Sequence, residues 1–171
     1  MAQSQKGLED LLEHGLKDMY YAENAILKAL PKMIEGATDK ELRNGLEKHR
    51  EQTEGQIRDL EKCFKAMDKK AEGEKCEAIE GILKEGDSLL KDFGGTPAGD
   101  AAIIFSSQAV EHYEIARYGS LRTYADLLGM DDVSDLLNGI LEQEIAADEI
   151  LSELAEDHVN EDALADDDED A

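Results

Sequence analysis

The sequence predicts an all-α protein, a bundle of four long helices with one shorter helix beside them. Three observations carry this. Apolar residues recur at steps of three and four along four long stretches, the spacing of a helical seam. The chain has only 2 Pro, 3 Phe and no Trp, against abundant Ala, Leu, Glu and Lys, which favours helix over strand. Turn and cap signals separate one stretch from the next. At 171 residues the chain is long enough for one domain with a sizeable core, expected over residues 1–158, followed by an acidic tail over 159–171.

The first helix is expected from Leu8 to Met33, with the seam Leu8, Leu12, Leu16, Met19, Glu23, Ile26, Leu30 and Met33. Pro31 should loosen its last turn, and Gly36 marks the stop. Thr38 with Glu41 fits a capping box for the second helix. Its seam is Leu42, Leu46, His49, Thr53, Gln56, Leu60, Cys63 and Met67, polar in the middle and apolar at both ends. A charged connector leads to a shorter helix from Cys76 to Leu90, where Glu80 reads as a surface or supporting acid. Thr96 as cap and Pro97 as first helical residue open the next long helix, Pro97 to Leu128. Its seam carries Glu111 and Glu114 among apolar residues. Gly129 ends it, and Asp131 or Asp132 begins the last helix, whose seam is interrupted by Glu144 with Asp148 one turn on. From Glu156 the pattern dissolves into a stretch with nine acidic residues, expected to be disordered.

Net charge is −24, and the residues after Arg122 hold 18 Asp and Glu with no Lys or Arg. A basic face for nucleic acid is therefore not expected. The acidic end reads as a solvated face and tail, or as a surface that gathers cations. No apolar run approaches the length of a membrane span, and no apolar core follows Met1 as in a signal peptide, so a cytoplasmic protein without membrane partners is expected. Cys63 and Cys76 are too few for a disulfide scaffold and read as reduced structural thiols, a bridge between them being the other reading.

The polar insertions share a height. Helices joined by a short turn are antiparallel neighbours, so equal distance from the turn means equal height. Glu23 lies 13 residues before Gly36 and His49 lies 13 after it. Glu114 and Glu144 lie 15 residues either side of Gly129, while Glu111 is 18 before it and Asp148 is 19 after it. If the two hairpins pack with these layers level, Glu23, His49, Glu111, Glu114, Glu144 and Asp148 converge. Five carboxyls and an imidazole in a core must take up protons or hold a cation. Carboxylate-rich ligation with an imidazole suits iron first, then manganese, with zinc less favoured. Gln52 and Gln56 are candidate supporting donors. His112 falls on a neighbouring face, outside the set. Tyr20, Tyr21, Tyr113 and Tyr118 flank the layer and read as packing residues with a hydroxyl to satisfy.

Several runs carry a family resemblance. Tyr21-Ala22-Glu23, His49 with Glu51-Gln52-Thr53 and Gln56, Cys76-Glu77-Ala78-Ile79-Glu80-Gly81, and Glu111-His112-Tyr113-Glu114-Ile115-Ala116-Arg117-Tyr118 resemble the YciE/YciF-type bacterial stress proteins of the ferritin-like superfamily. The likeness covers residues 7 to 158. It implies a ferritin-like bundle of four long helices plus a short extra helix, a homodimer, a dinuclear metal site between the long helices, and a link to stress responses. It does not supply a reaction. The chain departs from the ferritin-like pattern of paired Glu-x-x-His motifs. Leu46 stands three residues before His49, Gln52 stands where family members carry an acid, and the last helix offers Glu144 and Asp148 without a His. The functional expectation is thus a stress-response protein with a dinuclear iron or manganese site that reacts with O₂ or peroxide. The alternative is a metal-free bundle acting through dimerisation or partner binding.

Overall fold

The computed structural model describes residues 6–169, with side chains to 165. Six α-helices follow one another: α1 (Leu8–Gly36), α2 (Lys40–Ala66), α3 (Glu77–Phe93), α4 (Pro97–Leu127), α5 (Asp131–Leu154) and α6 (Asn160–Glu169). A π-helical turn over Ala155–Val159 joins the last two. Among the described residues there is no strand, and no helix is long and apolar enough to cross a membrane. The four long helices α1, α2, α5 and α4 pack as a ring of neighbours, with α3 laid against α4 and α1. This is the expected ferritin-like bundle of four long helices and a short extra one.

The seams read from the sequence are the buried faces. Leu12, Leu16, Met19, Ile26 and Leu30 of α1 meet Leu42, Leu46 and Leu60 of α2, and Leu121, Leu137 and Ile140 of the second hairpin, in one core. Local chemistry sets the ends. Thr96 Oγ1 accepts from the Gly99 amide at 3.1 Å and Pro97 follows as first residue of α4. After α4, the Met130 amide reaches the Ala125 carbonyl at 2.9 Å and the Gly129 amide reaches the Asp126 carbonyl at 3.0 Å. This Schellman closure needs a left-handed residue, and Gly129 takes φ of 70°.

Three expectations are corrected. Pro31 lies inside α1, which runs unbroken to Gly36. The cap of α2 is Asp39, whose carboxylate accepts from the Leu42 amide at 2.7 Å. Thr38 is occupied elsewhere: its amide and hydroxyl both donate to the carboxylate of Asp100, which also accepts the Asp39 amide at 2.9 Å. The buried Asp100 therefore pins the start of α4 to the turn between α1 and α2. The stretch after Glu156, expected to lack order, is helical through Glu169. Val159 is buried in the core and the His158 imidazole sits 3.1 Å from the Asp39 carboxylate, so two contacts hold the π-turn against the bundle. Cys63 and Cys76 are both free and buried, as thiols rather than a bridge.

Candidate metal centre

The middle of the bundle carries its polar layer. His49 from α2, Glu111 and Glu114 from α4, and Glu144 from α5 are all buried, and each offers a ligand-type atom within 4.8 Å of the others. His49 Nε2 lies 3.4 Å from Glu111 Oε1. The carboxyls of Glu111 and Glu144 face each other within hydrogen-bonding reach, as do those of Glu23 and Glu114. Glu23 is 1% exposed and joins the layer from α1, so all four long helices contribute.

Neighbouring side chains aim the carboxyls. Gln56 Nε2 donates to Glu144 Oε1 and, at 3.2 Å, to Gln143 Oε1. The Tyr118 hydroxyl, fully buried one turn below Glu114 on α4, donates to Glu23 Oε1. Thr53 is spent locally, its hydroxyl donating to the His49 carbonyl at 3.0 Å. With the carboxyls taken as charged acceptors, seven buried polar atoms are without a hydrogen-bond partner: Glu23 Oε2, His49 Nδ1, Gln56 Oε1, Glu111 Oε2, both carboxyl oxygens of Glu114, and Glu144 Oε2. Buried polar atoms in native proteins are nearly always paired, so these need a shared proton, a water or a bound ion.

Burial dictates the charge state of the layer. It pushes Glu23 up to about 8, with the nearby Glu144 carboxyl adding to the shift and the Tyr118 hydroxyl opposing it. It pushes Glu111 up to about 7, and holds Glu114 and Glu144 well above the usual carboxylate range, with the facing carboxyls adding their repulsion. The same burial lowers His49 to about 4, so its ring is neutral and one of its two nitrogens has a lone pair for a metal. His49, Glu111, Glu114 and Glu144 form a buried donor set that could hold a metal ion, with Glu23 beside it.

Comparison with known proteins places the chain. Residues 7–164 match the family described as domain of unknown function DUF892. The chain belongs to that family. Protein YciF of Escherichia coli (strain K12) is 36% identical over 156 residues, covering 91% of this chain and 94% of the relative. The crystal structure of that protein, described as a stress protein, superposes with a TM-score of 0.86 over 91% of this chain and 99% of its own. YcfI from Rhodopseudomonas palustris superposes with a TM-score of 0.85 at 47% identity, over 89% of this chain and 97% of its own. A protein from Xanthomonas campestris pv. campestris gives a TM-score of 0.72 at 25% identity, over 95% of this chain and 99% of its own.

Within this family fold, the six residues singled out in the sequence part company at one point. Glu23, His49, Glu111, Glu114 and Glu144 share the layer. Asp148 does not reach it. Its half-buried carboxylate accepts from Gln108 Nε2 at 3.1 Å and faces His112 Nε2 at 3.3 Å, at the edge between α5 and α4. Four residues carry a helix about 40° past a full turn, and that rotation, with a shorter side chain, turns Asp148 towards α4. His112 is exposed, as expected, and is held there by Asp148. Glu80 is exposed and accepts from the Tyr21 hydroxyl. Gln52 is half-buried beside the layer, whereas Gln56 is inside it. The sequence reading missed the part Tyr118 plays. Its place on the seam, one turn after Glu114, was the available signal, but only the fold shows its hydroxyl aimed at Glu23.

Proposed function

We propose that this chain is a stress-response protein of the ferritin-like class that holds a dinuclear iron or manganese centre inside its bundle and reacts with dioxygen or peroxide. The observation that supports this most is the group of five unpaired carboxyl oxygens on Glu23, Glu111, Glu114 and Glu144 beside an unpaired, neutral His49. When bound, iron or manganese supplies reversible one-electron chemistry towards oxygen species. Glu114, whose carboxyl oxygens accept from no donor, would be the first residue to hold both ions, and Glu144, with Oε2 open, the second. Gln56 fixes the orientation of Glu144, and Tyr118 fixes that of Glu23 and carries a proton at its hydroxyl. The carboxyls must give up their protons to bind, so metal affinity rises with pH. The link to stress rests on the E. coli stress protein YciF, and the reading extends to a cytoplasmic homodimer on family likeness.

The paired carboxyls favour a second reading. Glu23 with Glu114, and Glu111 with Glu144, can share protons and leave a metal-free bundle that acts through partner binding. Anaerobic loading with Fe(II), gel filtration, elemental analysis and a visible spectrum after admitting air separate the two. The metal reading expects retained iron and a new near-ultraviolet charge-transfer band, both lost in Glu144→Ala and His49→Ala. Iron retention no greater than in those variants would overturn it.

A further inference from the structure

Beside the polar layer, on the side nearer the α1–α2 turn, the core contains a cavity of about 60 Å³. Its walls include Leu30, Leu46, Val110 and Leu151, and its polar end is His49 with Glu111. One water needs roughly 10–15 Å³ of such space, so the cavity has room for on the order of four to six water-sized groups. Water is a poor occupant, because each molecule wants two to four polar partners and, beyond the polar end, only Lys48, Gln52 and Ser107 among the lining residues carry a polar side chain. At the polar end, His49 Nδ1 and Glu111 Oε2 are both buried and unpaired. Gly45 and Lys48 of α2 and Ala147 and Ile150 of α5 line it, and the exposed Lys48 and Ile150 mark where it opens. A Cβ added at Gly45 would meet nothing within 4 Å. The glycine is thus not demanded by close packing, and it leaves this mouth open.

We propose that this cavity is a binding site for a small, uncharged, largely apolar organic molecule, a compact ring or short alkyl chain, with one polar group set against His49 and Glu111. Largely apolar walls disfavour ions, since a charged ligand would lose its hydration, and the exposed Lys48 is the one Lys or Arg among the lining residues. His49 Nδ1 and Glu111 Oε2, both buried without a partner at the polar end, are the atoms that can meet one hydroxyl or carbonyl. That such a molecule is the substrate of the metal centre rests on the function proposed above. Its binding does not, because the cavity walls are formed by side chains of the bundle.

The test uses phenol as probe, with benzoate as its charged counterpart, on the metal-free full chain and on Gly45→Leu. Replacing a helix-interior glycine by leucine raises helix propensity, so the variant keeps its fold while its side chain fills the mouth. Saturable phenol binding is expected by calorimetry and ligand-observed NMR, with the His49 ring resonances shifted and no binding of benzoate. Gly45→Leu should weaken phenol binding by about tenfold or more. Absence of saturable phenol binding, equal binding by Gly45→Leu, or benzoate binding as tight as phenol would overturn the proposal. Fe(II) uptake is measured on the same two proteins. Phenol binding without iron uptake removes the metal centre and leaves the cavity site, and iron uptake without phenol binding does the reverse.

Discussion

His49 Nε2 and Glu111 Oε1 lie 3.4 Å apart, yet burial disfavours the charged form of both. The contact pairs a neutral ring with an acid that keeps its proton up to about pH 7, rather than forming a simple salt bridge. Such an arrangement stays uncharged until a cation arrives, and then supplies a neutral nitrogen and an anionic oxygen to it.

The first consequence is an unusual pH dependence for the metal-free protein. An unfolded Glu gives up its proton near 4.5, whereas folded Glu23 holds it to about 8 and Glu111 to about 7. Between those values the folded state binds more protons than the unfolded one. The stability these groups contribute is complete below 4.5 and is lost as pH rises through 7 and 8. His49 acts the other way, its contribution being lost as pH falls from 6.5 through about 4. Urea titrations of metal-free protein should therefore show stability falling by roughly a few kcal/mol from pH 6 to pH 8.5. Glu114→Gln with Glu144→Gln should flatten that slope, and saturating Mn(II) should reverse it.

Tyr118→Phe removes the only hydroxyl that reaches Glu23 among the described residues. Glu23 Oε1 then joins Glu23 Oε2 as an unpaired buried atom. Denaturant unfolding of the metal-free variant should show a loss of about 1–3 kcal/mol, and the Glu23 carboxyl should titrate higher still, because the lost hydrogen bond opposed its upward shift. Unchanged stability would mean that the tyrosine hydroxyl finds no partner in solution.

How far the sequence reaches is clear from particular residues. The helices, their seams and the level of Glu114 with Glu144 follow from periodicity and from counting away from Gly129, because height along an antiparallel hairpin is linear in residue number. Rotation about the helix axis is not visible to that count. Counting set Glu111 level with Asp148, but Glu111 points to His49 and Glu144 while Asp148 points to Gln108 and His112. Asp100 lies in the first turn of α4 and its partners Thr38 and Asp39 lie some 60 residues away, so no local pattern marks its pinning role. The helical stretch beyond Glu156 was hidden because Val159 alone carries its core contact. The cavity beside His49 is a shortfall of volume, to which residue pattern is blind.

Asp100→Ala tests the pin between the two hairpins. The substitution leaves the amides of Thr38 and Asp39 and the Thr38 hydroxyl without their acceptor. A stability loss of about 3 kcal/mol is expected, with Asp100→Asn losing less because it keeps one acceptor oxygen. Thermal unfolding of the three proteins at one pH gives the ranking.

The histidines should separate by NMR titration. His49 should stay neutral until pH nears 4. His158, 3.1 Å from the Asp39 carboxylate, should hold its proton above the usual imidazole range, and Asp39→Asn should remove that upward shift. The His158 contribution to stability is present below 6.5 and is lost as pH rises through its raised value. A His49 ring that protonates near 6.5 would mean that the layer is open to water.

The most direct measurement is anomalous diffraction from crystals soaked in Mn(II) or Fe(II). Density is expected among His49, Glu111, Glu114 and Glu144, with Glu23 beside it, and it should vanish in Glu144→Ala. Metal found only on surface carboxylates, with the inner carboxyls still paired to one another, would contradict the metal centre.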